Sequence, residues 1–263
     1  MAMISLRDRI ISYEQNTDFR IMKKVPVIII INGRSFRKVS SLLNKPCSMP
    51  MIETFAGVCI KLMQEIDGAM FAYAFNDEIV VIARNDQTAD TNAWFDNKVQ
   101  KICSATASIA TSEFNRLVKL SDIQVIGEPT FTSSVFAVPN ITEAINVLIS
   151  KQNEAIYTAV SMACLYELGK KYDLSTIKQT LNEKSASQKL DILSKQCDIN
   201  FDDYPAAFKR GSAVYRIQKV IESDEGFEKI KNKLSVDLDL PNFSREPEFL
   251  EGIITFGRDI FRQ

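Results

Sequence analysis

Residues 25–34, VPVIIIINGR, decide how this chain is read. From Val25 to Ile31 the run is continuously apolar and rich in β-branched side chains, with Pro26 near its opening. That length and that chemistry point to a buried central strand rather than a helix. The run ends abruptly at Asn32-Gly33-Arg34, so whatever the strand presents, it presents there.

Working outward, residues 5–16 carry apolar residues at Leu6, Ile10, Ile11 and Tyr13 after a Ser start, which predicts a short amphipathic helix. Residues 50–67 form a strong amphipathic pattern opened by Pro50. Met70–Ala83 holds two apolar runs, AMFAYAF and IVVIA, parted by Asn76-Asp77-Glu78. These read as a hairpin, although its tip lacks the favoured Asn-Gly pair. A long helix is expected over Trp94–Val118, and Thr130–Ala137 alternates like a strand. The order strand, helix, strand, strand, helix, strand is the split βαββαβ pattern, which makes the expected fold class α+β: a ferredoxin-like, polymerase-type palm on an antiparallel sheet.

Beyond Asn140 the pattern turns mainly helical, with helices expected over 141–169, 175–182 and 187–197. A polar loop follows near Asn200 and leads into a strand. The expected organisation is a palm-like region over 1–139 and a mainly helical region over 140–263, packed as one compact unit without repeats or low-complexity stretches.

Composition bounds the chemistry. The chain has 263 residues, ample for a core, and 32 basic against 33 acidic residues, so a nucleic acid would have to be held by a local basic patch. Cys47, Cys59, Cys103, Cys164 and Cys197 are scattered with no CxxC pair and read as reduced, mostly buried thiols of a cytoplasmic protein. No apolar run is long enough for a membrane span. The chain contains no histidine. Ser-His-Asp and Cys-His hydrolases and His-ligated metal sites are therefore excluded, which leaves carboxylate chemistry with hard metals, or binding.

In a βαββαβ palm the strand ends at Asn32-Gly33 and Asn76-Asp77-Glu78 lie side by side, where polymerase-type enzymes hold carboxylates for two magnesium ions. Asp77 and Glu78 offer anionic oxygens, whereas Asn32 offers only a neutral carbonyl. The competing reading of Asp77-Glu78 is a solvated hairpin tip.

The ordered set IIIINGRSFRK, KPCS, FNDEI, WFDNKVQKICSATASIATSEFN, PTFTSSVF and INFDDYPAAFKRG resembles the successive signatures of the tRNA(His) guanylyltransferase family and its Thg1-like relatives, over roughly residues 5–216. The resemblance implies a polymerase-like palm with a helical addition, assembled as a homodimer or homotetramer. It implies a magnesium-dependent 3′-to-5′ nucleotidyltransferase that uses a nucleoside triphosphate, GTP or ATP, on the 5′ end of tRNA or another RNA. Carried onto this chain, Asp77 and Glu78 are the catalytic carboxylates, and Asp77, Gly33 and Asn32 are the metal-ligand positions. Asn32, Gly33, Arg34, Ser35, Phe36, Lys45, Asn76, Lys98 and Lys101 are the nucleotide-binding positions, and Lys209 and Arg210, before Gly211, are a basic loop for RNA. For Lys98 and Lys101 the alternative is a solvated helix face, and for Trp94 a core or interface anchor.

The chain also departs from that pattern. Ile30 and Asn32 stand where the family's RxDGR motif has Arg and Asp, Asn76 stands for Ser, and Ser134 for Arg. The four markers of WRxxDxxxN fall on Ile149, Ser150, Asn153 and Tyr157. Retained scaffold with an altered metal site leaves two expectations open: a divergent nucleotidyltransferase, or a catalytically inactive descendant that binds nucleotide, RNA or a protein partner as a regulatory or blocking factor.

Overall fold

The computed structural model describes residues 5–40, 43, 45–222 and 228–256. It opens with α1 (Leu6–Gln15), whose N-cap Ser5 accepts the backbone N–H of Asp8. The helix forms as its Ser start suggests, yet none of its residues is buried. Then come β1 (Val27–Arg34), α2 (Phe36–Ser40), α3 (Met49–Glu65), β2 (Ala69–Phe75), β3 (Glu78–Ala83), α4 (Val99–Leu120) and β4 (Thr130–Ala137). The second half contributes α5 (Ile141–Leu168), α6 (Leu174–Leu181), α7 (Ala186–Cys197), α8 (Ala206–Arg210), β5 (Ser212–Glu222), β6 (Glu228–Asp237) and α9 (Pro247–Phe256).

The strands form one sheet in the order β4-β1-β3-β2-β5-β6, every pair antiparallel. Its first four strands carry the ferredoxin-like order that the βαββαβ pattern anticipates. Strands β5 and β6 extend that sheet, so the region after 140 is less purely helical than its sequence suggests. Its final helix also packs back on the palm.

The continuous apolar run of β1 follows from burial on both faces. Val27, Ile29 and Ile31 share a core with residues of α3 and α4, including Leu62, Met63 and Phe114. Ile28, Phe71, Tyr73, Val80 and Ile82 share another with Leu148 of α5 and Phe249 and Ile253 of α9. Ile28, Ile29 and Ile31 are at most 1% exposed, and burial of each is worth about 1.5–3 kcal/mol. The two-residue alternation of a strand assigns the faces. Odd-numbered residues of β1 look toward α3 and α4, and even-numbered ones toward α5.

The long α5 is capped by Asn140, whose side chain accepts the backbone N–H of Glu143. Its first half packs on the sheet, and its second half joins α6, α7 and Phe208 in a separate apolar cluster. Among the described residues Cys59 and Cys164 are buried free thiols, while Cys47, Cys103 and Cys197 are only half-buried. No helix of the described residues is long and apolar enough to cross a membrane.

Candidate active site

Strand β1 runs past Ile31 through Asn32, Gly33 and Arg34 and pairs with both neighbours over that stretch. Asn32 lies opposite Glu78, and Gly33 donates its N–H to the carbonyl of Asp77 at 2.7 Å. The two strand ends named from the sequence are therefore joined. A Cβ on Gly33 would fall on the ring of Phe36 and 2.9 Å from the Cβ of Asp77, so only glycine lets the chains approach this closely. After it, Ser35 turns through a positive φ of 63° and drops Phe36 into the core. There the Phe36 ring lies 5.2 Å from Phe114 and 5.2 Å from Phe131, which fixes the loop.

The hairpin tip is Asn76-Asp77. Asn76 takes a left-handed φ of 51°, a conformation asparagine tolerates better than most residues, and this is how the tip closes without Asn-Gly. Asp77 is half-buried. Burial pushes its carboxyl above the usual range, and among the described residues no basic side chain acts to pull it back.

Glu78, one residue on, has a different environment. It shares the α5 face with Asn32, and Lys151 of α5 reaches it with Nζ–Oε distances of 3.0 and 3.1 Å. Desolvation works against the Lys151 charge, but Glu78, with help from Glu154, outweighs it and holds the ammonium above its ordinary range.

Beside Asp77 opens a cavity of about 810 Å³ between the palm and the helical region. One wall is Phe36, Val39, Met51 and Ile52 from α2 and α3. The facing wall is Met162, Leu165 and Tyr166 of α5 with Phe208 of α8. Its polar groups include Asn76, Asp77, Ser48 and two lysines, Lys45 and Lys170. Lys45 is exposed, and Lys170 pairs with Glu167 at 2.7 Å while lying 4.4 Å from the Tyr166 ring. Of the residues named from sequence, Phe36, Lys45, Asn76 and Asp77 line this cavity, and Asn32, Gly33, Arg34, Ser35 and Glu78 flank it along the strand ends. Sequence reasoning missed Lys151, Tyr166 and Lys170, because nothing in a helical heptad says which face meets a hairpin tip.

The structure does not bring Lys98 and Lys101 to this place. The helix expected from Trp94 begins only at Val99, because Phe95, Asp96 and Asn97 adopt left-handed φ values of 50–57°. Buried Asn97 donates to the carbonyl of Met22 and is met by Asn85, which pins the start of α4 beside residues 21–25. Val27 pairs with Ala83 at that end of the sheet and Asn32 with Glu78 at the other, about 17 Å apart at the rise of a strand. Lys98 ion-pairs there with Asp18 at 3.0 Å, and the Lys101 ammonium lies 6.0 Å from the Phe95 ring. Trp94 is half-buried against the palm core, as an anchor.

Lys209 and Arg210 are likewise turned inward. Lys209 donates to the carbonyl of Asp202 at 2.6 Å, and Arg210 to that of Leu240 at 2.6 Å, with Asp239 3.3 Å away. The Arg210 carbonyl accepts from the buried Tyr73 hydroxyl at 2.9 Å. This loop therefore clamps the helical region to the sheet. Gly211 has φ 79°, and a Cβ there would sit 2.6 Å from the Tyr73 ring, so the clamp needs glycine at its end.

Magnesium takes hard oxygen ligands and is commonly held by one or two carboxylates, with phosphates and waters completing the shell. Asp77 and the Gly33 carbonyl suit one such ion carried with a nucleotide. They do not suit a pair, because Asn32 is neutral, Glu78 is bound to Lys151, and the described residues contain no cluster of three acidic or thiol ligands.

Comparison with known proteins matches this architecture. The family model described as Thg1, tRNAHis guanylyltransferase, covers residues 7–139, and that of the Thg1 C-terminal domain covers residues 161–240. The tRNA(His) guanylyltransferase 1 of Arabidopsis thaliana is 21% identical over 218 residues, 80% of this chain, and the match spans only 37% of that relative's length. A bacterial tRNA(His) guanylyltransferase (Thg1)-like protein solved in complex with ATP is 26% identical with a TM-score of 0.80, covering 95% of this chain and 99% of that one. A structure described in the same words in complex with GTP is 27% identical with a TM-score of 0.76 and the same coverage. With both family models matched in chain order and the same fold in the solved relatives, this chain belongs to the tRNA(His) guanylyltransferase family.

Proposed function

We propose that this chain binds a nucleoside triphosphate, ATP or GTP, in the cavity beside Asp77 and acts as a divergent 3′-to-5′ nucleotidyltransferase on the 5′ end of tRNA or another RNA. The observation that carries the reading is the cavity itself: about 810 Å³, with apolar walls, one carboxylate and two lysines. That volume lies within the range of small-ligand pockets, and apolar walls with a few placed polar groups suit a nucleoside. Relatives of the same fold solved with ATP and with GTP support it.

In this reading Lys45 and Lys170 meet the phosphates as point charges. The facing walls of Phe36, Ile52, Met162 and Tyr166 hold the base and keep water from it. Asp77 and the Gly33 carbonyl would hold one magnesium ion, which when bound would offset negative charge on the phosphates. The backbone bond from Gly33 to Asp77 keeps these donors adjacent. RNA contacts belong to surfaces other than Lys209 and Arg210, and homo-oligomeric assembly in the cytoplasm completes the proposal.

A second reading, an inactive descendant that binds nucleotide, RNA or a partner, is favoured by Asn32 and by the Glu78–Lys151 pair. Calorimetric titration of ATP and GTP separates binding from no binding, and a 5′-extension assay on tRNA transcripts then separates the two readings. Micromolar binding that requires magnesium and is lost in Asp77→Ala is the expected result. Absence of binding with and without magnesium overturns the nucleotide reading, and binding without extension selects the inactive descendant.

A further inference from the structure

Lys151 stands where the missing negative charge of the site would otherwise have to be explained. Asn32 and Glu78 are opposite each other on adjacent strands and, by the alternation of β1 and β3, project to the α5 face. Lys151, on the turn of α5 that crosses this face, bonds both carboxylate oxygens of Glu78 at 3.0 and 3.1 Å, with the more exposed Glu154 carboxylate farther off at 3.5 Å, and its side chain is only 22% exposed. Asp77, in the tip, faces the cavity, and among the described residues no cation pairs with it. Two neighbouring carboxylates are thus sorted onto opposite sides of one strand end, one neutralised and one open.

We propose that Lys151 acts as a tethered cation in place of a second divalent ion, so that this site takes one metal ion per bound nucleotide. The inference rests on the nucleotide-binding reading above. A divalent ion at the Asn32–Glu78 side would meet the ammonium at short range and in a partly dry setting, where like charges repel strongly. It would also find a neutral amide in place of an anionic ligand. The same ammonium supplies, without dehydration, a positive charge beside the tip. Lys151 is therefore a positioning residue: it fixes Glu78 and sets the charge of the site.

Equilibrium dialysis of manganese with a non-hydrolysable ATP analogue, counting metal and nucleotide retained per chain, tests this without relying on turnover. One manganese per retained nucleotide is expected for the natural chain. Asn32→Asp combined with Lys151→Met is expected to retain two, and Lys151→Arg, which keeps the cation, to retain one. Two manganese per nucleotide in the natural chain overturns the proposal and leaves nucleotide binding standing. A count of one in a folded double variant overturns it as well, with folding checked by circular dichroism. No retained nucleotide removes the nucleotide reading and this inference together.

Discussion

Asp77 and Glu78 are consecutive residues of one chemical kind, and the fold gives them opposite roles. Asp77 sits in the tip of the hairpin, half-buried beside an open cavity, without a basic partner among the described residues. Glu78 is the first residue of β3, turned to the other face and held by Lys151. A carboxylate left open next to a cavity stores a demand for a cation, whereas a carboxylate paired across two elements is already satisfied. The lesson is that a motif read as two adjacent acids does not establish two equivalent ligands. The strand alternation and the helix that crosses above them decide which one is available.

The sharpest way to break this contrast is to remove the open partner. Asp77→Ala is expected to lower magnesium-dependent ATP or GTP affinity by about a hundred-fold, near 3 kcal/mol, in calorimetric titration, with little change in thermal stability. Retained affinity would mean the cavity binds nucleotide without this carboxylate. Next in size, Gly33→Ala should cost about 1–3 kcal/mol of stability through overpacking against Phe36 and the Asp77 Cβ, read by chemical denaturation, and should weaken nucleotide binding with it.

Acid pH probes the open acid, Asp77. Burial raises the native Asp77 pKa above its unfolded value. In the window between those values the native state holds more proton than the unfolded one, so this contribution to stability falls as pH rises. Asp77→Asn should remove that component from the stability profile of the nucleotide-free protein, and an unchanged profile would place the titration elsewhere. Glu78→Gln removes a pair whose partners are 22% and 29% exposed, so a loss of at most about 1 kcal/mol is expected. The smallest effect is expected at Lys209→Ala: RNA affinity in a filter-binding assay should change less than about two-fold, because that ammonium is bound to the Asp202 carbonyl and offers little to phosphates.

Much of the palm was legible because its signals are local. VPVIIII reads as a buried strand from branching and length, and strand order follows from the βαββαβ sequence. The Asn76 tip was recognisable as a turn although its type was not, since a left-handed asparagine closes it without the favoured Asn-Gly pair. The second half was read less fully. Strand β5 joins β2, in a sheet begun over a hundred residues earlier, and β6 reaches that sheet only through its neighbour β5.

The basic residues show the same division. Lys45, Lys98, Lys101, Lys209 and Arg210 look alike in sequence, yet only Lys45 lines the cavity. The left-handed run at Phe95–Asn97 delays α4 and leaves Lys98 and Lys101 by the opposite end of the sheet. Sequence alone determined the absence of histidine chemistry, the α+β palm, the family and the neutral Asn32 at its strand end, because each is a matter of residue identity or of periodicity within one element. Only the tertiary structure decided that Asp77 opens on a cavity, that Lys151 pairs with Glu78, and that Lys209 and Arg210 bond to the carbonyls of Asp202 and Leu240. Those outcomes depend on which faces of distant elements meet, and no local pattern encodes a contact between a hairpin tip and a helix some seventy residues away.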